Sequence, residues 1–267
     1  MIGVFDSGFG GLHVLRSVTT RLPQYGYIYL GDSARAPYGP RSSDEVYAFT
    51  REGVEFLFAH GARIVVLACN TASSEALRKI QMEYLAEGSN KKVLGVLIPF
   101  AEAAAARTKN KRVGVLATAG TVHSGAFVRE ITKLGTIDVF QQAAPQLVPL
   151  IEAGKQDSDE VETLIAQYVA PLLSNHIDTL VLGCTHYGIV QEKIQKVAGA
   201  DVSVVSERDV VPESLKNYFA RHPDIEKTIG KNTHTLFYTT GDVAHFEKLG
   251  SVFFGNPIHA EKADLAI

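Results

Sequence analysis

Two cysteines are all the thiols this 267-residue chain has, and they stand in matching surroundings. Cys69 lies in "VVLACNTAS" (65–73) and Cys184 in "LVLGCTHYG" (180–188). Each follows an apolar, strand-like run and precedes small polar residues, Asn70-Thr71 in one case and Thr185-His186 in the other. A lone cysteine is usually a small buried hydrophobe. Two in the same setting point to paired chemistry. A thiolate can take a proton and a thiol can return one. One thiol on each side of a carbon could therefore invert a stereocentre, with the roles exchanged in the reverse direction. A helix starting just after each cysteine would favour the thiolate through its N-terminal dipole. Asn and Thr are good N-caps at such positions.

Other candidates cluster at similar junctions. "VFDSGFGG" (4–11) places Asp6 and Ser7 at a strand tip, with glycines that let the backbone approach an anion before a helix. It is neither a dinucleotide fingerprint, since His13 stands at the third glycine position, nor a phosphate loop, since no Gly-Lys-Ser/Thr follows. Within "YLGDSARAPYG" (29–39), Pro37, Tyr38 and Gly39 offer a rigid turn with free backbone N–H groups. "ATAGTV" (117–122) supplies the hydroxyls of Thr118 and Thr121, suited to a carboxylate or ammonium group or to helix capping. His186 is a proton partner for Cys184 or a structural histidine, and Glu152 is a lone acid in the apolar stretch "VPLIEAG" (148–154). Asn-Thr, Thr-His, Ser and Tyr-Gly pairs give both the donors and the acceptors that an α-amino acid requires.

The elements that must position these groups read as alternating strands and helices. Strands are expected at 2–5, 27–30, 64–68, 93–96, 112–117, 179–183, 202–205 and 235–238, and helices at 12–20, 44–60, 72–85, 101–107, 126–134 and 158–174. This alternation implies βαβ units and parallel sheets. Near-continuous runs such as "IVVLA" suit strands covered on both faces. In such sheets ligands bind beyond the carboxyl ends of the strands, where all four polar segments lie. A weak internal repeat pairs 2–11 with 113–122 and 64–73 with 179–188, in the same order. The expected architecture is α/β, with two pseudo-symmetric flavodoxin-like domains, parallel sheets flanked by helices, and the site in the cleft between them. The expected division is 1–96 plus 207–267 for a discontinuous first domain and 97–206 for the second.

Composition narrows the classes. Apolar residues make up 46% and charged residues 21%, as in ordinary globular proteins. A net charge of −3 without a basic run gives no reason to expect a nucleic-acid partner. No apolar stretch reaches the roughly 18 residues of a membrane span, and Asp6 comes too early for a secretory apolar segment. The expected setting is cytoplasmic, without a membrane partner. Two cysteines without a C-x-x-C pattern make a disulfide framework or a zinc site unexpected.

"GVFDSGFGGLHVL", "GDSARAPYG", "ACNTAS" and "GCTHYG", in that order, resemble the motifs of bacterial glutamate racemases. The likeness runs from residue 2 to about 190, with a weaker echo in "TTGD" (239–242). It implies L-glutamate ⇌ D-glutamate without cofactor or metal, supplying D-glutamate for peptidoglycan. It casts Cys69 and Cys184 as the acid/base pair, Cys69 acting on the D enantiomer and Cys184 on the L. Asp6, His186 and Glu152 become their auxiliaries. The implied substrate contacts are Asp6, Ser7, Pro37, Tyr38, Gly39, Asn70, Thr71, Thr118, Thr121, Thr185 and His186. The family is often dimeric, so a homodimer is expected. The chain departs from the family pattern at Gly188-Ile189, which could loosen the start of the next helix, and at "VVSERDVV" (204–211). An aspartate or broad-specificity racemase, and a non-catalytic two-lobed amino-acid-binding protein, remain the competing readings.

Overall fold

The computed structural model describes residues 1–85, 90–231 and 233–265. Its strands are β1 (Ile2–Asp6), β2 (Tyr27–Gly31), β3 (Ile64–Leu67), β4 (Lys92–Gly95), β5 (Arg112–Ala117), β6 (Asp138–Ala143), β7 (Thr179–Gly183), β8 (Ser203–Val205), β9 (Thr235–Thr239) and β10 (Ala260–Lys262). Helices α1 (Gly11–Arg21), α2 (Ser43–Ala59), α3 (Asn70–Glu75), α4 (Leu77–Lys79), α5 (Leu97–Arg107), α6 (Ala119–Ser124) and α7 (Ala126–Thr132) fall in the first half of the chain. They are followed by α8 (Leu147–Glu152), α9 (Asp159–Leu173), α10 (Gln191–Ala198), α11 (Glu207–Arg221), α12 (Pro223–Glu226) and α13 (Val243–Phe254). A 3₁₀ turn, Thr185–Val190, leads straight into α10.

The strands form two sheets, ordered β10-β9-β2-β1-β3-β4 and β6-β5-β7-β8, and every pairing is parallel. Four-strand units of the two sheets share one order: second, first, third, fourth. β3 and β7, the strands before the two cysteines, are therefore equivalent. Each pairs with the first strand of its unit, Ile2 opposite Ile64 and Val113 opposite Thr179. β1, β2, β3 and β7 are buried at every position, which is why apolar residues fill them without alternation.

Two expected features differ. The segment 72–85 is not one helix. It breaks into α3, α4 and a π-helical turn, Ile80–Tyr84, and such single turns interrupt α-helices at local irregularities. β6 and β10, both at sheet edges, lack a legible strand signal. β6 carries Gln141-Gln142 half-exposed, and β10 is three residues long.

One apolar cluster runs from Leu12 and Tyr29 beside the first sheet to Leu116 and Leu182 in the second. Phe5, Leu30 and Val54 belong to another cluster, on the α2 side of the first sheet. α11 lies against both α1 and α5, and α1 also packs on the 185–190 turn. No helix among the described residues is long and apolar enough to cross a membrane.

Candidate active site

The carboxyl ends of β1, β3, β5 and β7 face a cavity of about 270 Å³. Cys69, Asn70 and Thr71 line it from the first sheet, and Cys184, Thr185 and His186 from the second. Ser7, Pro37, Tyr38, Gly39, Thr118 and Glu152 complete the polar wall. Ala144, Pro145, Val148 and Pro149 close the apolar one. Of the residues singled out in the sequence, Asp6 and Thr121 stand behind the wall, both fully buried.

Cys69 is the N-cap of α3, and its Sγ accepts the Ala72 N–H at 3.5 Å. The sulfur itself caps the helix, where Asn70 or Thr71 was expected to. Ser7 Oγ lies 3.4 Å from the same sulfur. Asp6 sits just behind. Its Oδ1 accepts the Gly8 N–H at 3.0 Å, and its Oδ2 accepts the Thr185 hydroxyl at 3.3 Å. Asp6 thus ties the tip of β1 to the segment after β7.

Cys184 precedes the 3₁₀ turn, with Sγ 3.8 Å from His186 Nδ1. The other ring nitrogen, Nε2, lies 2.9 Å from Glu152 Oε1 at the end of α8. Phe253 meets the imidazole edge to face, at 5.7 Å between centroids. A carboxylate on one nitrogen and a thiol by the other orient the ring along a Glu152–His186–Cys184 line. Gly10 makes this approach feasible, since a Cβ there would overlap Thr185 Oγ1 and His186 Nδ1.

Three hydroxyls form a triangle across the cavity. Thr71 Oγ1 is 3.0 Å from Thr118 Oγ1 and 3.3 Å from Thr121 Oγ1, and Thr118 lies 3.0 Å from Thr121. Thr118 also caps α6 by accepting the Thr121 N–H. Beside them, the buried Asn70 amide has both its oxygen and its nitrogen unpartnered. A buried amide without partners is rare, and its place on the cavity wall suits an ionic ligand.

The Tyr38-Gly39 loop hangs on Asp32, a residue for which the sequence gave no role. Fully buried Asp32 accepts the Tyr38 hydroxyl at 2.5 Å, Arg35 Nε at 2.7 Å and the Thr240 hydroxyl at 2.6 Å. The acid in "GDSARAPYG" was the available signal. The apolar wall from 144–149 carried none, because its residues look like ordinary helix and turn residues in isolation.

The thiols differ from expectation in charge. Burial pushes Cys69 up to about 11, and the Asp6 charge adds to it, against the donors Ser7 and Ala72. Burial also pushes Cys184 well above its ordinary value, with the charges of Cys69, Asp6 and Glu207 acting the same way against the His186 backbone N–H. Desolvation outweighs the start of a six-residue helix and of a 3₁₀ turn. Asp6 is likewise raised by burial, although His186, Gly8, Gly11 and Thr185 oppose the shift. Among the described residues, no group of three or more His, Cys, Asp and Glu side chains is placed to hold a metal ion.

The Asp/Glu/Hydantoin racemase family matches residues 2–210 of this chain. A glutamate racemase of Paracoccus denitrificans is 40% identical, over 98% of this chain and 99% of its own length. The chain belongs to the Asp/Glu/Hydantoin racemase family. Solved structures place this racemase among the glutamate-named members. One, the crystal structure of a Bacillus anthracis glutamate racemase isoform, superposes with a TM-score of 0.91 at 36% identity, covering 99% of this chain and 97% of that one. Another, a Francisella tularensis glutamate racemase in complex with D-glutamate, gives 0.88 at 30% identity with the same coverage. Both share the two-sheet architecture of this racemase over nearly the whole chain.

Proposed function

We propose that this isomerase interconverts L- and D-glutamate by proton transfer between Cα and two thiols, Cys69 acting on the D enantiomer and Cys184 on the L. The observation that carries this reading is the placement of both thiols around one cavity, one from each sheet, after equivalent strands. One thiolate removes the Cα proton, and the other thiol delivers a proton to the opposite face. The pair ends in the swapped protonation state, and the reverse reaction restores it. No cofactor or metal takes part.

A substrate ammonium group would counter the upward push on the thiols, because a positive charge nearby favours the thiolate. Asp6 and Ser7 serve Cys69, and the Glu152–His186 line serves Cys184. The Asn70 amide, the hydroxyls of Thr71, Thr118 and Thr185, and the Tyr38-Gly39 loop hold the carboxylates and the ammonium group, with Thr121 supporting Thr71 and Thr118. Segments 1–96 plus 207–267 act as one lobe and 97–206 as the other. The product D-glutamate goes to peptidoglycan in the cytoplasm. Full-length likeness to glutamate racemases favours glutamate over aspartate.

Circular dichroism of L- and D-glutamate incubated with the enzyme in D₂O tests the reading. Both enantiomers are expected to reach the racemate, and converted molecules to carry deuterium at Cα. Inversion of aspartate alone would reassign the substrate. Inversion without solvent hydrogen would end the proton-transfer mechanism.

A further inference from the structure

Gly188 of the 185–190 turn and Glu207 of the 204–211 stretch meet in space. Glu207 opens α11 and is fully buried, yet neither carboxylate oxygen has a partner. Its Oε1 fills the position that a Cβ on residue 188 would need. The His13 ring stands 2.8 Å from that same position at Cδ2 and 3.1 Å at Nε2, and this Nε2 is also buried without a partner. An acid and an imidazole thus share a notch that exists because residue 188 has no side chain. Gly188 belongs to the 3₁₀ turn that follows Cys184 and carries His186.

We propose, building on the two-thiol reading above, that Glu207 is a positioning residue for the Cys184 side of the reaction. Its uncharged carboxyl, seated in the Gly188 notch and facing His13, braces the 185–190 turn, and ionising it turns down proton transfer at Cys184.

The groups around Glu207 set this balance. Asp6 faces it from β1, His13 from α1 with Arg16 beside, and Cys184 from the end of β7. Arg208 and Asp209 flank it on α11, and Arg208 reaches Glu192 of α10 at 3.4 Å. Burial raises Glu207 to about 8, with Asp6 and Asp209 adding to the shift and its own backbone N–H and Arg208 opposing it. Burial lowers His13 to about 4, helped by Arg208 and Arg16. Near neutral pH the notch therefore holds a neutral acid and a neutral imidazole. Above pH 8 it acquires a buried negative charge. That charge adds to those of Cys69 and Asp6 on Cys184, and Asp6 acts on Cys69 as well.

Iodoacetamide alkylation of each thiol, read by peptide mass spectrometry at pH 7 and pH 9, tests the link without substrate. A coupling of half a pH unit is about a threefold change in thiolate fraction. At pH 9, Glu207→Gln is expected to speed alkylation of Cys184 by about threefold relative to Cys69. The parent's kcat is expected to fall above pH 8, and that of Glu207→Gln to fall less. Gly188→Ala, which evicts the carboxyl, is expected to lower kcat about tenfold at pH 7 through a misplaced turn, and Gly188→Ala with Glu207→Ala to regain part of it. Equal alkylation ratios and superimposable pH profiles for the parent and Glu207→Gln would overturn the proposal. Failure to racemise glutamate would sink the two-thiol reading and leave the alkylation result intact. Racemisation with an unresponsive Cys184 would sink only the role of Glu207.

Discussion

The two thiol sites are built on the same strand order, yet they are furnished differently. Asp6 ends β1 where Ala117 ends β5, so the carboxylate that backs the site has no counterpart in the second sheet. Two residues past the cysteine, the first unit carries Thr71 and the second His186. Cys69 caps a helix and touches a hydroxyl, whereas Cys184 makes no cap bond and touches an imidazole backed by Glu152. Duplicated topology brings two sulfurs to one cavity. The asymmetry lies in the groups beside them, which suits the proposed reaction on two faces of a chiral molecule.

The largest effect should come from removing either sulfur. Cys69→Ser and Cys184→Ser are each expected to lower kcat for inversion by about 10²–10⁴-fold, the range for a lost acid or base in proton transfer. Polarimetric or circular-dichroism assays in both directions measure it. A variant that keeps parental turnover would show that its thiol is a packing residue, and the comparison between the sites would lose its meaning.

Glu207 tests the second site through stability. Its folded-state value of about 8 lies above the ordinary 4.5, so the folded protein binds more protons between those values. Its contribution is fully present below pH 4.5 and is lost as pH rises through 8. Relative to the parent, Glu207→Gln should therefore gain stability progressively across that window, on the order of 4 kcal/mol at its upper end. Urea unfolding at pH 5, 6.5 and 8 gives the trend, and a constant difference between the two proteins would refute it.

The Glu152–His186 line sharpens the contrast next. His186→Asn is expected to reduce kcat by about 10–100-fold and Glu152→Gln by about threefold to tenfold, since the first removes the group beside the thiol and the second only its orienting partner. Because mirror-image substrates have an equilibrium constant of unity, kcat/KM must fall equally in both directions. The asymmetry appears in kcat, matched by a change in KM, with the larger loss expected for L-glutamate, on which Cys184 is proposed to act. Equal kcat losses in both directions would mean that His186 does not belong to one thiol more than to the other.

Much of this arrangement is legible in the chain because strand, polar tip and helix follow one another locally. The runs before Asp6, Cys69 and Cys184 are strongly apolar, and the small polar residues after them mark the carboxyl ends of buried parallel strands. Glu152 stands out as an acid in an apolar stretch, and it does reach His186. What stays hidden depends on pairs distant in sequence. Asp32 gathers Tyr38, Arg35 and Thr240, and Glu207 fits a gap at Gly188. The charge state of the thiols is not legible for a related reason. The helix start is visible in sequence, whereas the degree of burial that overrides it depends on how the two sheets close together.

The smallest effect separates the two sulfurs as structural groups. A serine hydroxyl is a favoured N-cap, and at position 69 it would find the Ala72 N–H and the Ser7 hydroxyl already in place. At position 184 it would find the His186 ring, 3.8 Å from the present sulfur, and the backbone N–H of His186, but no helix cap bond. A shorter C–O bond would leave that contact stretched, and a buried hydroxyl without a good partner is destabilising. Cys69→Ser should therefore change unfolding free energy by less than about 0.5 kcal/mol, while Cys184→Ser should lower it by about 1 kcal/mol. Ser42→Ala calibrates the scale. Ser42 caps α2 in a full capping box with Glu45 and does not line the cavity, and its loss should destabilise by about 1 kcal/mol with turnover unchanged. Urea denaturation of the three variants at pH 7 decides the matter. If Cys69→Ser proves as destabilising as Cys184→Ser, the sulfur at the head of α3 is not acting as a cap, and the structural difference between the two thiol sites reduces to their proton partners.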